Sequence, residues 1–244
     1  MIKCLLLLCI FSFFTTGSIA ANNINIVSSQ WPPYVDDSLP GKGLAFELVN
    51  QALQRKGYQP RLNIDSWPRA LEGVQIGVFD ATCAIWKTAA REHDLLFSQP
   101  YLTNKISFIK KKSLKIEYTQ LSDLKGFIIG TVRDYAYNDA FNRTRALMKV
   151  PDNFIIQNLQ KLHSGNIDLT LGDERAINYA LQKVLPTQAN TFEFISPALE
   201  YKKLYLAVSK TNKNAQAIID DFNQAIVEMQ QDGSYDQIVS QYPY

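Results

Sequence analysis

The chain has 244 residues, 46% of them hydrophobic and 20% charged, enough for a sizeable core in one large domain or two small ones. Its formal net charge is only +2 at pH 7, which argues against a nucleic-acid or polybasic membrane partner. Two of its three cysteines, Cys4 and Cys9, lie at the extreme N-terminus, so a mature chain keeping only Cys83 has no internal disulfide and must rely on its core.

Residues 1–21 read as a signal peptide. Lys3 precedes a mostly apolar run from Cys4 to Phe14, and Ser18-Ile19-Ala20-Ala21 supplies the cleavage site. The run is too short to span a bilayer comfortably. Cys9 follows leucines as a lipoprotein cysteine would, but too little apolar chain precedes it, and cleavage near Ala20 or Ala21 is expected. A secreted chain with no disulfide and no later apolar span points to the periplasm.

Beyond the leader, short β-like runs alternate with helical ones, the pattern of an α/β protein with parallel strands. "INIVSS" reads as a strand and "GLAFELVNQALQRKGY" as an amphipathic helix ended by Gly57. "RLNI" is the next strand, "WPRALEGVQIG" a helix with Pro68 in its first turn, and "FDATCAI" another strand. A second cycle follows Lys112: "LSDLKG", the strand "FIIGTV", a helix near Tyr137 to Met148, then "FIIQNLQKLHSGN", "IDLTLG" and "DERAINYALQKV". "LYLAVS" and a helix over "NAQAIIDDFNQAIVEMQQDG" close the chain, the latter with Ala215, Ile218, Ile219, Phe222, Ala225, Ile226 and Met229 on one apolar stripe. No fixed repeat and no low-complexity linker separates the cycles. They read as two lobes joined by short crossings near "LTNKIS" and "LEYKKL", with a small-molecule crevice between them.

The run "WKTAAREHDLLFSQPY" carries the most suggestive chemistry. Arg91 offers a planar guanidinium fork that matches a carboxylate and stays charged in a closed cleft. The plainer alternative is that Thr88 caps a short helix and Arg91 is solvated. Asp173 opens "DERAINYALQ", where an aspartate equally serves as an N-cap. All three tryptophans, Trp31, Trp67 and Trp86, lie in the first half at loop ends, where core packing is the ordinary explanation. Catalytic chemistry is thinly represented. His93 and His163 are far apart on helical runs, Cys83 sits in an apolar strand, and there is no Gly-x-Ser-x-Gly, CxxC or HExxH motif.

Seven pieces, in order, resemble the extracellular solute-binding proteins of bacterial amino-acid ABC transporters, with the type II periplasmic binding fold. They are "WPPY", "GLAFELVNQALQRKGY", "SWPRALEGVQIGVFDAT", "TAAREHDLLFSQPY", "DLKGFIIGTV", "SGNIDLTLGDE" and "MQQDGSYDQIVSQY", spanning about Ile24 to Tyr242. The resemblance implies an α/β fold of two lobes and two crossings, with residues 22–103 and 198–244 in lobe I and 104–197 in lobe II. It implies a monomer that captures a small zwitterionic or anionic solute, most often an amino acid, and delivers it to an inner-membrane ABC permease, with no cofactor. By the same resemblance Thr88 and Arg91 would take the ligand's α-carboxylate and Asp173 its α-ammonium, with Glu174 as an alternative. Trp31 and Trp67 would form an aromatic wall that Tyr34 shares, and Trp86 stands where relatives often carry a small hydroxyl residue. The turn "GTVRDYAY" departs from the family pattern: Asp134, Tyr135 and Ala136 replace a hydroxyl residue that also holds the carboxylate. Ala136 leaves only a backbone amide at a helix start, and Arg133 is either a substitute cation or a solvated strand end. Ser28 stands where binders of basic amino acids place an acid. Two other uses of the fold fit the same pattern, a ligand-sensing module for a signalling receptor and a cyclohexadienyl-dehydratase-like enzyme using Glu174 or Asp173.

Overall fold

The computed structural model describes residues 22–244, and the leader read in residues 1–21 lies outside the described residues. Strand β1 (Asn22–Ser28) is followed by helix α1 (Leu44–Arg55), strand β2 (Tyr58–Ile64), helix α2 (Trp67–Gln75) and strand β3 (Ala81–Trp86). Helix α1 buries Leu44, Ala45, Leu48, Val49, Ala52 and Leu53 along one face, the spacing that its sequence displays. Gly57, at φ +81°, turns the chain out of it. Every residue of β3 is buried, as befits a strand covered on both faces.

A short helix α3 (Ala89–Glu92) and strand β4 (Leu95–Phe97) lead into the long strand β5 (Leu102–Lys111). The second cycle comprises β6 (Ile128–Val132), α4 (Asp139–Arg143), β7 (Met148–Asp152), α5 (Ile155–Ser164), β8 (Leu169–Asp173) and α6 (Glu174–Lys183). After β9 (Phe192–Phe194), the second long strand β10 (Glu200–Ser209) returns, and α7 (Ala215–Gln231) and α8 (Ser234–Ser240) end the chain. All seven apolar residues expected on the α7 stripe are buried, and α7 packs on α1.

The sheet runs β2-β1-β3-β10-β5-β8-β6-β7. Strands β2, β1 and β3 are mutually parallel, as are β8, β6 and β7. Between these groups, β5 and β10 pair antiparallel through Leu102–Ile106 and Glu200–Leu204. The remainder of β10 pairs with β3, and the remainder of β5 with β8. Each long strand therefore belongs to both parallel groups, and the expected crossings at "LTNKIS" and "LEYKKL" are the stretches where the two strands meet. One core cluster fills the interior around α1, α7 and the central strands, and smaller ones lie under α2 and between α5, α6 and β8.

The helix expected over Tyr137 to Met148 is a correction. Asn138 caps α4 by accepting from the Phe141 amide, but the helix ends at Arg143 and Thr144 is extended. Met148–Asp152 instead pair in parallel register with β6 as an edge strand, where Pro151 is tolerated. Pro151 bars a helix there, and pairing along five residues with β6 sets the stretch as a strand.

Candidate functional site

The loop after β1 builds one wall. Trp31 and Val35 form an isolated antiparallel bridge, with the Trp31 amide donating to the Val35 carbonyl at 2.7 Å. The Tyr34 carbonyl accepts from the Ala45 amide at 2.9 Å, which clamps the loop to the start of α1. Gly43 makes this approach possible: at φ +95°, a Cβ placed there would lie 2.7 Å from the Tyr34 carbonyl oxygen. Tyr34 itself is buried, and its hydroxyl donates to Asp173 Oδ1 at 2.8 Å.

The end of β3 supplies the cation. Thr88 is the N-cap of α3 and its hydroxyl accepts from the Arg91 amide at 3.3 Å. This short turn aims the guanidinium back beneath the strand end, where Nη1 donates to the Trp86 carbonyl at 2.6 Å. The guanidinium carbon lies 5.2 Å from the centroid of the Trp67 ring. Arg91 is 8% exposed and makes no ion pair among the described residues. Burial lowers its pKa from 12.5 to about 10.

Arg91, Trp31, Trp67 and Trp86 all line one small cavity of about 30 Å³. Ser29 and Ala84 complete the side nearest β3, and Asp134, Tyr135 and Ala136 close it from the turn after β6. Trp86 is fixed from behind, its indole Nε1 donating to Asn104 Oδ1 at 2.7 Å. Its ring carries Lys202 at 5.3 Å from the centroid. Tyr135 stands edge-on to Trp86 at 5.2 Å and to Trp31 at 6.0 Å between centroids. The chamber is an aromatic box with one buried cation in its wall, which suits a small anion with an apolar or flat body.

Asp173, Glu174 and Arg133 do not line the cavity. Asp173 caps α6, accepting from the Ala176 amide at 3.0 Å as well as from Tyr34. Burial raises its pKa, partly offset by the Ala176 amide and the Tyr34 hydroxyl. Glu174 is held by Ser107 Oγ at 2.6 Å and Lys105 at 3.0 Å. Arg133 is exposed, its Nε donating to Asn153 Oδ1 at 3.3 Å. Ala136 lines the cavity, but α4 begins only at Asp139, so its amide is not at a helix start.

Sequence reasoning assigned no ligand contact to Ser29, Ala84, Asp134 or Tyr135. The available signal was the anomalous turn itself, which puts non-glycine Asp134 at φ +60°. His93 and His163 are exposed, and the buried Cys83 thiol is pushed up to about 12, so it is not a nucleophile at neutral pH. Among the described residues, no cluster of three or more His, Cys, Asp or Glu side chains could hold a metal ion.

A family model described as "Bacterial extracellular solute-binding proteins, family 3" matches residues 24–243. The L-cystine-binding protein TcyA of Bacillus subtilis (strain 168) is 23% identical over 197 residues, covering 80% of this chain and 70% of that protein. The arginine-binding periplasmic protein of Mannheimia haemolytica is 21% identical over 225 residues, covering 89% and 90%. An ancestral arginine-binding protein solved with arginine superposes with a TM-score of 0.77 at 20% identity, over 91% of this chain and 99% of that one. The two-lobed, type II periplasmic binding architecture expected from the sequence is therefore the fold of this chain.

Proposed function

The chain belongs to the bacterial extracellular solute-binding proteins of family 3, and from that membership and the cleft we propose that it captures an amino acid or a close relative between its lobes. The observation that carries the ligand class is Arg91, a buried cation without an anionic partner among the described residues, exposed to a cavity and flanked by Trp67. An uncompensated buried charge costs several kcal/mol, and a ligand carboxylate would supply the missing partner. In this reading Arg91 holds the α-carboxylate, and Thr88 acts by fixing the turn that aims it. Trp31, Trp67 and Trp86 pack the ligand body. Asp173, tied to Tyr34, offers an acidic group for the ammonium once the lobes adjust around the ligand.

The lobe limits remain those read from the sequence, with residues 22–103 and 198–244 facing 104–197. The chain acts as a monomer in the periplasm after losing its leader and delivers its ligand to an ABC permease. It is a binder with no turnover of its own.

Calorimetric titration of the mature chain against the twenty common amino acids tests the ligand class. At least one should bind in the micromolar range, and Arg91→Ala should weaken that binding at least about thirtyfold. Equal affinity in Arg91→Ala removes the carboxylate role. Aromatised product from prephenate or arogenate would make the chain an enzyme instead.

A further inference from the structure

We propose that Asn104, on the crossing strand β5, is a positioning residue of the binding site: while its Oδ1 holds Trp86 in the cavity wall, its Nδ2 steadies the Asp173 carboxylate for the ligand's ammonium group. The inference rests on the amino-acid reading above and adds to it a residue that joins the two ends of the ligand site.

Asn104 is fully buried and lies in the stretch where β5 and β10 meet, opposite Lys202. A buried amide is costly unless it is hydrogen-bonded. An indole N–H can only donate, so the bond from Trp86 Nε1 at 2.7 Å identifies the accepting atom as Oδ1 and fixes which way the amide faces. Nδ2 is left as a buried donor with no hydrogen-bond partner among the described residues.

The acceptor on that side is Asp173. It pairs with Ile106 across β5 and β8, so Asn104, two residues before Ile106, is its diagonal neighbour on the same face of the sheet. Burial raises the pKa of both Asp173 and Tyr34, and the Asn104 amide is among the groups that pull each one back. Nδ2 is thus close enough to act on the carboxylate without being bonded to it. The two hydrogen bonds that Asp173 accepts, from Tyr34 at 2.8 Å and from the Ala176 amide at 3.0 Å, both end on Oδ1. Oδ2 remains, with lone pairs for one bond from Nδ2 and one from an ammonium. No neighbouring charge replaces Asn104 in this role. Tyr135 and Arg175 also face Asp173, but Arg175 lowers its pKa less than the Asn104 amide does. Lys202, opposite Asn104, is engaged by Glu200 at 3.4 Å and by the Trp86 ring.

The test compares the wild type with Asn104→Leu and Trp86→Phe, which both lose the indole–amide bond, while only the first loses Nδ2. The Asp173 carboxyl is followed by carbon NMR against pH, and the tightest-binding amino acid of the panel is titrated calorimetrically over the same range. Wild-type affinity should fall as Asp173 is protonated. Asn104→Leu should move both midpoints up by about one pH unit, a tenfold change in the proton equilibrium, because a donor to the charged form is lost. Trp86→Phe should leave both midpoints near their wild-type values. An unmoved carboxyl midpoint in Asn104→Leu overturns the proposal, as does a shift that the affinity does not follow or one that Trp86→Phe reproduces in full. In the wild type, the side-chain NH2 signals of Asn104 should move in step with the Asp173 carboxyl. Signals that ignore it overturn the proposal even if the leucine variant fails to fold. If amino acids bind through Arg91 and only the midpoints stay put, the positioning role falls alone. If no amino acid of the panel binds, the reading beneath it falls as well.

Discussion

Replacing Arg91 by methionine separates binding from folding, because the guanidinium is poorly compensated where it sits. At 8% exposure and with no carboxylate beside it, its pKa falls from 12.5 to about 10. A fall of that size corresponds to a penalty of roughly 3 kcal/mol on the charged form. Against it stand a charge-assisted hydrogen bond to the Trp86 carbonyl, worth roughly 2 kcal/mol, and the contact with Trp67, worth roughly 1 kcal/mol. The two sides nearly cancel. Methionine fills the space of the aliphatic stem without the charge, so the unliganded variant should unfold within a few degrees of the wild type. Ligand response should differ sharply. At a ligand concentration a hundredfold above its Kd, the wild type gains about 2.7 kcal/mol. Loss of the carboxylate contact weakens binding by about a hundredfold, leaving the variant a gain of only about 0.4 kcal/mol at the same concentration. Thermal unfolding of both proteins, with and without ligand, reads both quantities. A variant destabilised by more than about 3 kcal/mol that keeps its ligand shift would refute the argument and make Arg91 a structural prop.

Asp173→Asn retains an oxygen for the Ala176 amide and the Tyr34 hydroxyl while removing a buried charge. Because burial raises the folded pKa of Asp173 above its unfolded value, the wild type loses stability as pH rises from the unfolded value through the folded one. The variant should therefore be the more stable protein at pH 7, with a lead that disappears on acidification below about pH 3.8; a pH-independent difference in denaturant midpoint would contradict this. Gly43→Ala puts a Cβ 2.7 Å from the Tyr34 carbonyl at φ +95°, and should cost about 2 kcal/mol or more and displace the Tyr34 loop. Wild-type stability in that variant would mean that the loop accommodates the methyl freely. Acetate should bind weakly at Arg91 without changing the small-angle scattering radius, whereas a bound amino acid should lock the compact form; equal compaction by both would refute the division of roles that follows.

Much of this site was legible because local rules and the fold agree there. Thr88 three residues before Arg91 is a cap in the sequence and in the structure, and the stripe from Ala215 to Met229 is buried as its spacing requires. Asp173 was legible as a cap for the same reason, but its bond to Tyr34 joins residues 139 positions apart, which no local pattern encodes. The turn from Arg133 to Ala136 was visible as an anomaly, yet its consequence depends on Trp31 and Trp86 meeting Tyr135 across the cleft. Strand β7 escaped for a related reason: five residues ending in Pro-Asp carry no clear strand alternation, and only an available edge on β6 makes them a strand.

On the proposed binding mode, affinity and closure come from different parts of the cleft. Arg91, Trp67 and Trp86 cluster at the end of β3 and at the helices beside it, all on one side of the β5–β10 crossing. A carboxylate can reach them whether the lobes are apart or together, so that contact adds affinity without favouring closure. A ligand shifts the balance only through interactions that exist in one state and not the other. Those have to come from the β8 and β6 side, where Asp173 and the Tyr135 turn lie. The Tyr34–Asp173 hydrogen bond and the rings around Tyr135 are where the two sides of the crossing touch. A small ammonium group that engages Asp173 can therefore govern the motion, even where the ligand has no side chain to contribute.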